Sequence, residues 1–498
     1  MQNLSPIKKI IKDTRFYAIA RIIPSLLGFV AIIIYTRILS PEEYGLYILV
    51  ITIISIVTAI SFEWLNKSIL RYFEESKKNK KLSEFISTIF GTLFATVATS
   101  LILWYIAIYL LQNHFSNTFF SMLKIGGLIL ISQGIYTFIL SVKQSSQKSH
   151  EYGVYSILNA LGKLLIAIFF ISILHFGPIG ILLGMIICSG SISIYGILNL
   201  RTKYKIKLFY FSKKLFRKLL SYGYPLIGLS LASYVLVSVD RYMIKYFLNT
   251  SEVGIYSANY GLASGIIQPF LAILLLSAYP IIMETFENRG EKEASHVLNK
   301  ILSIYFVILT PIVFGTTILS KNISNVLLGQ SFRQGYIIIP LIVLGTFIFG
   351  LTQYFYKPFE LKKKTKTLSL VVVIIAIINI ILNFFFIPKF GIIGAAYTTL
   401  ISYGFYLIIT YLISKKIFRW KLPVETIIKS ILASIFMCIV LHLIFPEYQA
   451  NIYYLILKAL IGAMSYFIIM LLAKEKNATG GFLYISNYLK KIFKNRNA

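Results

Sequence analysis

Lysines and arginines inside long apolar runs are the residues of this chain best placed to do chemistry. Lys163 lies about ten residues from either end of the run 153–174, in line at helical spacing with Tyr152, Ser156 and Asn159. Arg21 shares a face of the run 16–38 with Tyr17, Ser25 and Gly28; Arg241 shares a face of the run 222–245 with Ser230, Tyr234, Ser238 and Lys245. Lys124 and Lys458 stand near run ends, and only two acids, Glu63 and Asp240, oppose these cations inside the runs. A charge held in an apolar medium is costly and usually faces a cavity or a partner. Cations in such places suit a phosphate-bearing substrate, because guanidinium pairs phosphate through two hydrogen bonds and ammonium supplies a point charge. There are competing accounts. Lys124 and Lys458 can snorkel to the nearer interface, and Arg21 can do the same or pair with Glu63. Asp240 adjoins Arg241, but successive helical positions point about 100° apart, so the two are not expected to face each other. Lys163 has no short route to water and is the strongest candidate.

A second constellation is tentative cation chemistry. Asp240, Asn379, Asn383 and Thr399 lie at similar depth on three runs, and a carboxylate with neutral oxygens suits a hard monovalent ion. Polar packing between helices is the alternative. No G-x-x-x-x-G-K-[ST] loop is present, so ATP hydrolysis within the chain is not expected. The five histidines are scattered without metal-ligand spacing. Cys188 and Cys438 are isolated in apolar runs and read as packing. No cofactor, metal or enzymatic activity is therefore expected; an ion held by the oxygen constellation would be Na+ or H+.

The elements that must position these residues are membrane helices. The chain has 498 residues, is 57% hydrophobic and only 13% charged, with mean hydropathy +0.78. About 20 apolar residues suffice to cross a bilayer. Fourteen runs qualify: 16–38, 46–65, 86–112, 118–142, 153–174, 179–199, 222–245, 253–278, 299–320, 335–356, 367–388, 391–413, 426–445 and 452–473. The net charge of +31 follows their alternation, since about 39 of the 49 Lys and Arg fall on one side. By the positive-inside rule both termini are cytoplasmic in a multi-pass protein of the cell (cytoplasmic or inner) membrane. The charge then serves orientation and attraction to anionic lipids, not nucleic acid. In the tail, Phe482, Ile485, Leu489 and Ile492 alongside Lys490, Lys491 and Lys494 predict an interfacial amphipathic helix.

Two motifs recur. Glu43-Tyr44-Gly45-Leu46-Tyr47 returns as Glu252-Val253-Gly254-Ile255-Tyr256, and Phe176-Gly177-Pro178-Ile179-Gly180 returns as Phe390-Gly391-Ile392-Ile393-Gly394. The offsets, 209 and 214 residues, nearly agree, so a half-unit of six spans occurs twice. Parallel repeats of this kind are related by an axis along the membrane normal, with a substrate path between them. The expected organisation is an N-terminal lobe at 1–200, a basic cytoplasmic linker at 201–218, a C-terminal lobe at 219–413, two extra helices within 414–475 and a cytoplasmic amphipathic tail at 476–498.

The stretches "TRILSPEEYGLY", "VDRYMIKYFLNTSEVGIYSANY" and "NIILNFFFIPKFGIIGAAYTTLIS" resemble the MOP exporter superfamily, and within it the Wzx-type polysaccharide transporters. The likeness covers roughly residues 12–475. It implies an all-α polytopic fold of about 14 helices, with two pseudo-symmetric six-helix lobes around a central cavity. It also implies a flippase that carries a polyprenyl-pyrophosphate-linked oligosaccharide, a cell-surface polysaccharide precursor, from the cytoplasmic to the outer leaflet by alternating access. A glycan polymerase or ligase would be its downstream partner. Arg21, Lys163, Arg241, Glu63 and Asn159 become the expected substrate-binding residues. A cation-coupled multidrug exporter would share the fold but should hold more acids. A peptidoglycan lipid-precursor flippase is the other alternative, whereas a membrane glycosyltransferase or polymerase would need larger outer loops.

Overall fold

The computed structural model describes residues 6–114, 116–204, 210–362, 364–418, 421–445, 451–475 and 479. The expected amphipathic helix at 482–494 and part of the basic linker lie outside these. Among the described residues every regular element is a helix. Twelve are long and apolar enough to cross a membrane: α1 (Phe16–Ile38), α2 (Pro41–Lys78), α3 (Leu82–Leu111), α4 (Asn117–Ser145), α5 (Ser149–Ile173), α6 (Pro178–Tyr204), α7 (Lys213–Phe247), α8 (Thr250–Ile318), α9 (Gln330–Leu361), α10 (Lys366–Ile417), α11 (Val424–Ile444) and α12 (Ile452–Leu472). Two of them break at a glycine with non-helical backbone, α8 at Gly290 (φ 82°) and α10 at Gly391 (φ 60°). Each therefore supplies two legs, which recovers the fourteen crossings expected from hydropathy.

Both repeated motifs have a structural explanation. In the first, a polar cap starts a helix: Glu43 N–H donates to Ser40 Oγ (3.3 Å), while the Glu43 carboxylate accepts from Ser40 N–H (2.9 Å). This is a reciprocal capping box. At the same offset, Glu252 N–H donates to Asn249 Oδ1 (2.9 Å) and opens α8. The two glycines then meet each other. A Cβ built on Gly45 would overlap the Thr250 carbonyl oxygen, and one built on Gly254 would overlap the Pro41 carbonyl oxygen. The contact is thus reciprocal about a local two-fold axis, and it places Tyr47 and Tyr256 at the same end of the molecule.

The second motif is a hairpin. Gly177 and Gly391 take the left-handed φ of 54° and 60° that favours glycine. Three residues later, Gly180 and Gly394 sit against Phe170 and Phe386 of the preceding helix with no room for a side chain. The Gly177 hairpin lies beside the Glu43 carboxylate (3.2 Å from a Cβ built there), so these turns share one end of the fold. We call it the turn end; the basic loops mark the other.

The chain separates into two compact units, residues 1–258 with 372–395, and residues 259–371 with 396–498. This division cuts across the sequence repeat because α7 packs along α2. Tyr242 OH donates to Leu49 O (2.8 Å), Ser68 Oγ to Leu219 O (3.0 Å), and Lys218 pairs with Glu75 (2.6 Å). The first leg of α10 joins the same unit at Phe384, whose ring lies 5.4 Å from that of Phe247. The core of this unit is aliphatic and aromatic, built on Val50, Leu65, Phe73, Phe85, Leu93 and Phe138. In the other unit, α11 and α12 pack against the second leg of α8 through Val307, Met437 and Met470, where Tyr466 OH donates to Val307 O (2.9 Å). These are the two helices expected beyond the repeat.

Candidate substrate-binding site

Lys163 stands on α5, half-buried, its Nζ 5.9 Å from the centroid of the Tyr136 ring on α4. It makes no ion pair among the described residues. One turn earlier, buried Asn159 accepts from Ser189 Oγ of α6 (3.1 Å). Asn159 therefore ties α5 to α6 and fixes the rotation of the helix that presents Lys163. Further along the stripe, Tyr152 meets Tyr17 of α1 edge to face, with ring centroids 5.2 Å apart. The stripe that carries Arg21 thus adjoins the stripe that carries Lys163. Arg21 itself is exposed and forms no ion pair among the described residues.

Glu63 pairs with Lys67 (3.0 Å), not with Arg21. Lys67 Nζ also donates to Ser230 Oγ of α7 (3.2 Å), on the face that leads to Arg241. Arg241 departs from expectation. Its side chain donates to Asp240 Oδ1 (3.1 Å) and to Val237 O (2.7 Å). The angular separation of adjacent positions is overcome because the long Arg side chain curls back along its own helix. Asp240 also accepts from its neighbour's backbone, Arg241 N–H (2.8 Å), and from Tyr256 OH (2.6 Å). Both ions are nearly enclosed, with side chains 12% and 4% exposed. Asp240→Asn is therefore expected to lower the midpoint of thermal unfolding in detergent, since removing one partner of a buried ion pair costs about 3–5 kcal/mol. An unchanged midpoint would mean that other contacts hold Arg241.

Of the remaining oxygen donors, Asn383 Nδ2 donates to Asn379 Oδ1 (3.0 Å) one turn away on α10, and both are buried. Thr399 belongs to the second unit. Asp240 thus already holds an arginine and a tyrosine hydroxyl, and the two asparagines hold each other. Among the described residues no group of three or more His, Cys, Asp or Glu is arranged to hold a metal.

The family described as polysaccharide biosynthesis protein matches residues 10–286, more than half of the chain, a stretch that holds Arg21, Glu63, Lys163 and Arg241. The chain belongs to this family. An uncharacterised membrane protein of Methanocaldococcus jannaschii is 22% identical over 416 residues, 80% of this chain and 82% of its own. A putative O-antigen transporter of Shigella flexneri is 23% identical over 416 residues, 78% of this chain and 93% of its own. The fold is similar to that of the lipid II flippase MurJ in an inward closed conformation, with a TM-score of 0.74 and 20% identity over 92% of this chain and 99% of that one.

In this member of the polysaccharide biosynthesis family the cations fall into two kinds. Lys163 and Arg21 lie on adjoining stripes without a described counter-ion, whereas Lys67 and Arg241 are each matched by a carboxylate on the same helix. The first kind can take a foreign anion directly; the second must exchange a partner to do so. Lys67 escaped the sequence reading because hydropathy falls at Glu63, Asn66 and Lys67 and the apolar run 46–65 ends there. A single π-helical turn, Ala59–Glu63, instead carries the helix on to Lys78. The Glu63–Lys67 spacing of four residues was the available signal.

Proposed function

We propose that this protein is a flippase for a lipid-linked glycan, carrying a polyprenyl-pyrophosphate oligosaccharide from the leaflet at its basic end, the cytoplasmic one, to the leaflet at its turn end. The observation that carries this reading is Lys163: a lone ammonium in mid-helix, on a helix that Asn159 ties to α6, 5.9 Å from the centroid of the Tyr136 ring and with no described carboxylate. A mobile pyrophosphate supplies the missing anion as it passes, while the lipid tail stays in the bilayer. Single cations at successive depths bind weakly enough to release. Family membership and the names of the relatives, an O-antigen transporter and a lipid II flippase among them, support the substrate class. An exporter of cationic drugs would want carboxylates where this chain has Arg21 and Lys163. Both termini and the basic loops belong in the cytoplasm on the positive-inside rule.

The test is reconstitution into liposomes with a fluorescent polyprenyl-pyrophosphate oligosaccharide, scoring its accessibility to a glycosidase on the opposite side. Protein-dependent accessibility is expected. A protein that moves a cationic dye but not the glycan lipid would overturn the reading in favour of the exporter.

A further inference from the structure

A second cationic cluster lies at the basic end of α4, α5 and α6, about 18 Å along α5 from Lys163 at the helical rise. Its buried half is neutral. Lys143, near the end of α4 and only 1% exposed, pairs with Glu151 in the first turn of α5. Lys143 also donates to Asn199 Oδ1 of α6 (3.2 Å), and its Nζ lies 5.3 Å from the centroid of the Tyr155 ring. These contacts lock three helix ends together. The outer half is not neutral. Lys148, in the turn between α4 and α5, shares the same Glu151. Lys203, one turn beyond Asn199 on α6, lies within electrostatic range of Lys148, Glu151 and Lys143, with its Nζ 5.0 Å from the centroid of the Tyr204 ring. Lys203 is exposed and makes no ion pair among the described residues.

Two ammonium groups, Lys143 and Lys148, thus share one carboxylate, and Lys203 adds a third positive charge nearby with no carboxylate of its own among the described residues. Two like charges held together repel, and an anion with several oxygens placed between them turns that repulsion into attraction. Lysine suits such an anion as a compact point charge with three donors. The cluster caps membrane-crossing helices beside a tyrosine, which is the depth of lipid headgroups. We propose that Lys148 and Lys203 hold a phosphate group at the basic end of α4–α6, with Lys143, Glu151 and Asn199 as the rigid support. The phosphate is that of a lipid, either a resident anionic phospholipid or the pyrophosphate of the glycan lipid before translocation. The second source rests on the proposed function; the first does not.

Purified full-length protein, delipidated and incubated with phosphatidylglycerol or phosphatidylcholine, is assayed by native mass spectrometry for retained lipid. Wild type is expected to retain phosphatidylglycerol selectively. Lys203→Gln should lower that retention about fivefold, and Lys148→Gln with Lys203→Gln about thirtyfold. Lys203 is exposed at a helix end, so the single variant keeps the fold, which an unchanged melting temperature would verify. Equal retention of the two lipids by wild type, or undiminished phosphatidylglycerol on Lys203→Gln, overturns the site. Displacement by inorganic pyrophosphate assigns the cluster to a phosphate recognised by itself, as in the glycan lipid; persistence assigns it to the phospholipid. None of these readouts requires translocation, so failure of the flippase reading would leave them intact.

Discussion

Lys163→Ala is expected to reduce glycan-lipid translocation in liposomes at least thirtyfold while leaving the protein folded in the membrane. Two observations set this expectation. Lys163 makes no ion pair among the described residues, so removing its charge strands no carboxylate and costs the fold little. A phosphate meeting Lys163 in a half-buried site would lose a charge-assisted contact, and such losses run to about 2–5 kcal/mol, where each 1.4 kcal/mol is tenfold. Lys163→Arg should retain part of the activity, because the charge survives while the reach and shape of the head change. Asn159→Ala should fall between the two, since it frees the helix rotation that aims the lysine. A well-expressed Lys163→Ala protein that translocates normally would remove Lys163 from the path.

Gly45→Ala is expected to act at the other end, on the contact between α2 and α8. The added methyl would overlap the Thr250 carbonyl oxygen, which is backbone and cannot rotate aside. Overpacking of this kind costs about 1–3 kcal/mol, a shift of about five- to 150-fold in the population with the two helices in contact. Because the contact is reciprocal, Gly254→Ala should behave alike through Pro41. Gly28→Ala is the control, since a Cβ there meets nothing within 4 Å. The readout is labelling of Tyr47→Cys by a membrane-impermeant maleimide from the turn-end side, in each glycine background. Faster labelling with Gly45→Ala and Gly254→Ala, but not Gly28→Ala, is the expected pattern. Equal rates in all three would show that the glycines do not govern access there.

Much of this was legible in the residues themselves. Apolar length found the fourteen crossings, including the pairs joined at Gly290 and Gly391, because crossing a bilayer depends on local composition. The offsets of 209 and 214 found the repeat. What they could not convey is that the two Glu-x-Gly-x-Tyr copies touch, since a contact between residues so far apart is decided by tertiary packing. The same limit applies to Arg241: helical geometry separates its Cβ from that of Asp240, yet a long flexible side chain closes the gap. Lys67 was lost for a local reason, a π-helical turn that lets α2 continue through a polar stretch where hydropathy signals an end. Lys163, by contrast, was legible because nothing near it in sequence could neutralise it, and the structure brings no carboxylate to it from elsewhere among the described residues.

The reciprocal glycine contact also sets a timetable for biosynthesis. Gly45 cannot meet its partner until Thr250 has been made, a wait of roughly 10–40 s at a synthesis rate of about 5–20 residues per second. Through that interval the turn end of α2 is in the membrane with a close-packing stripe and nothing to pack on it, so the ribosome and its insertion machinery must tolerate an unfinished surface. The first compact unit is not complete even then, because residues 372–395 belong to it. A chain stopped after residue 371 would carry every residue from 1 to 258 and still lack the last helix of the unit they form.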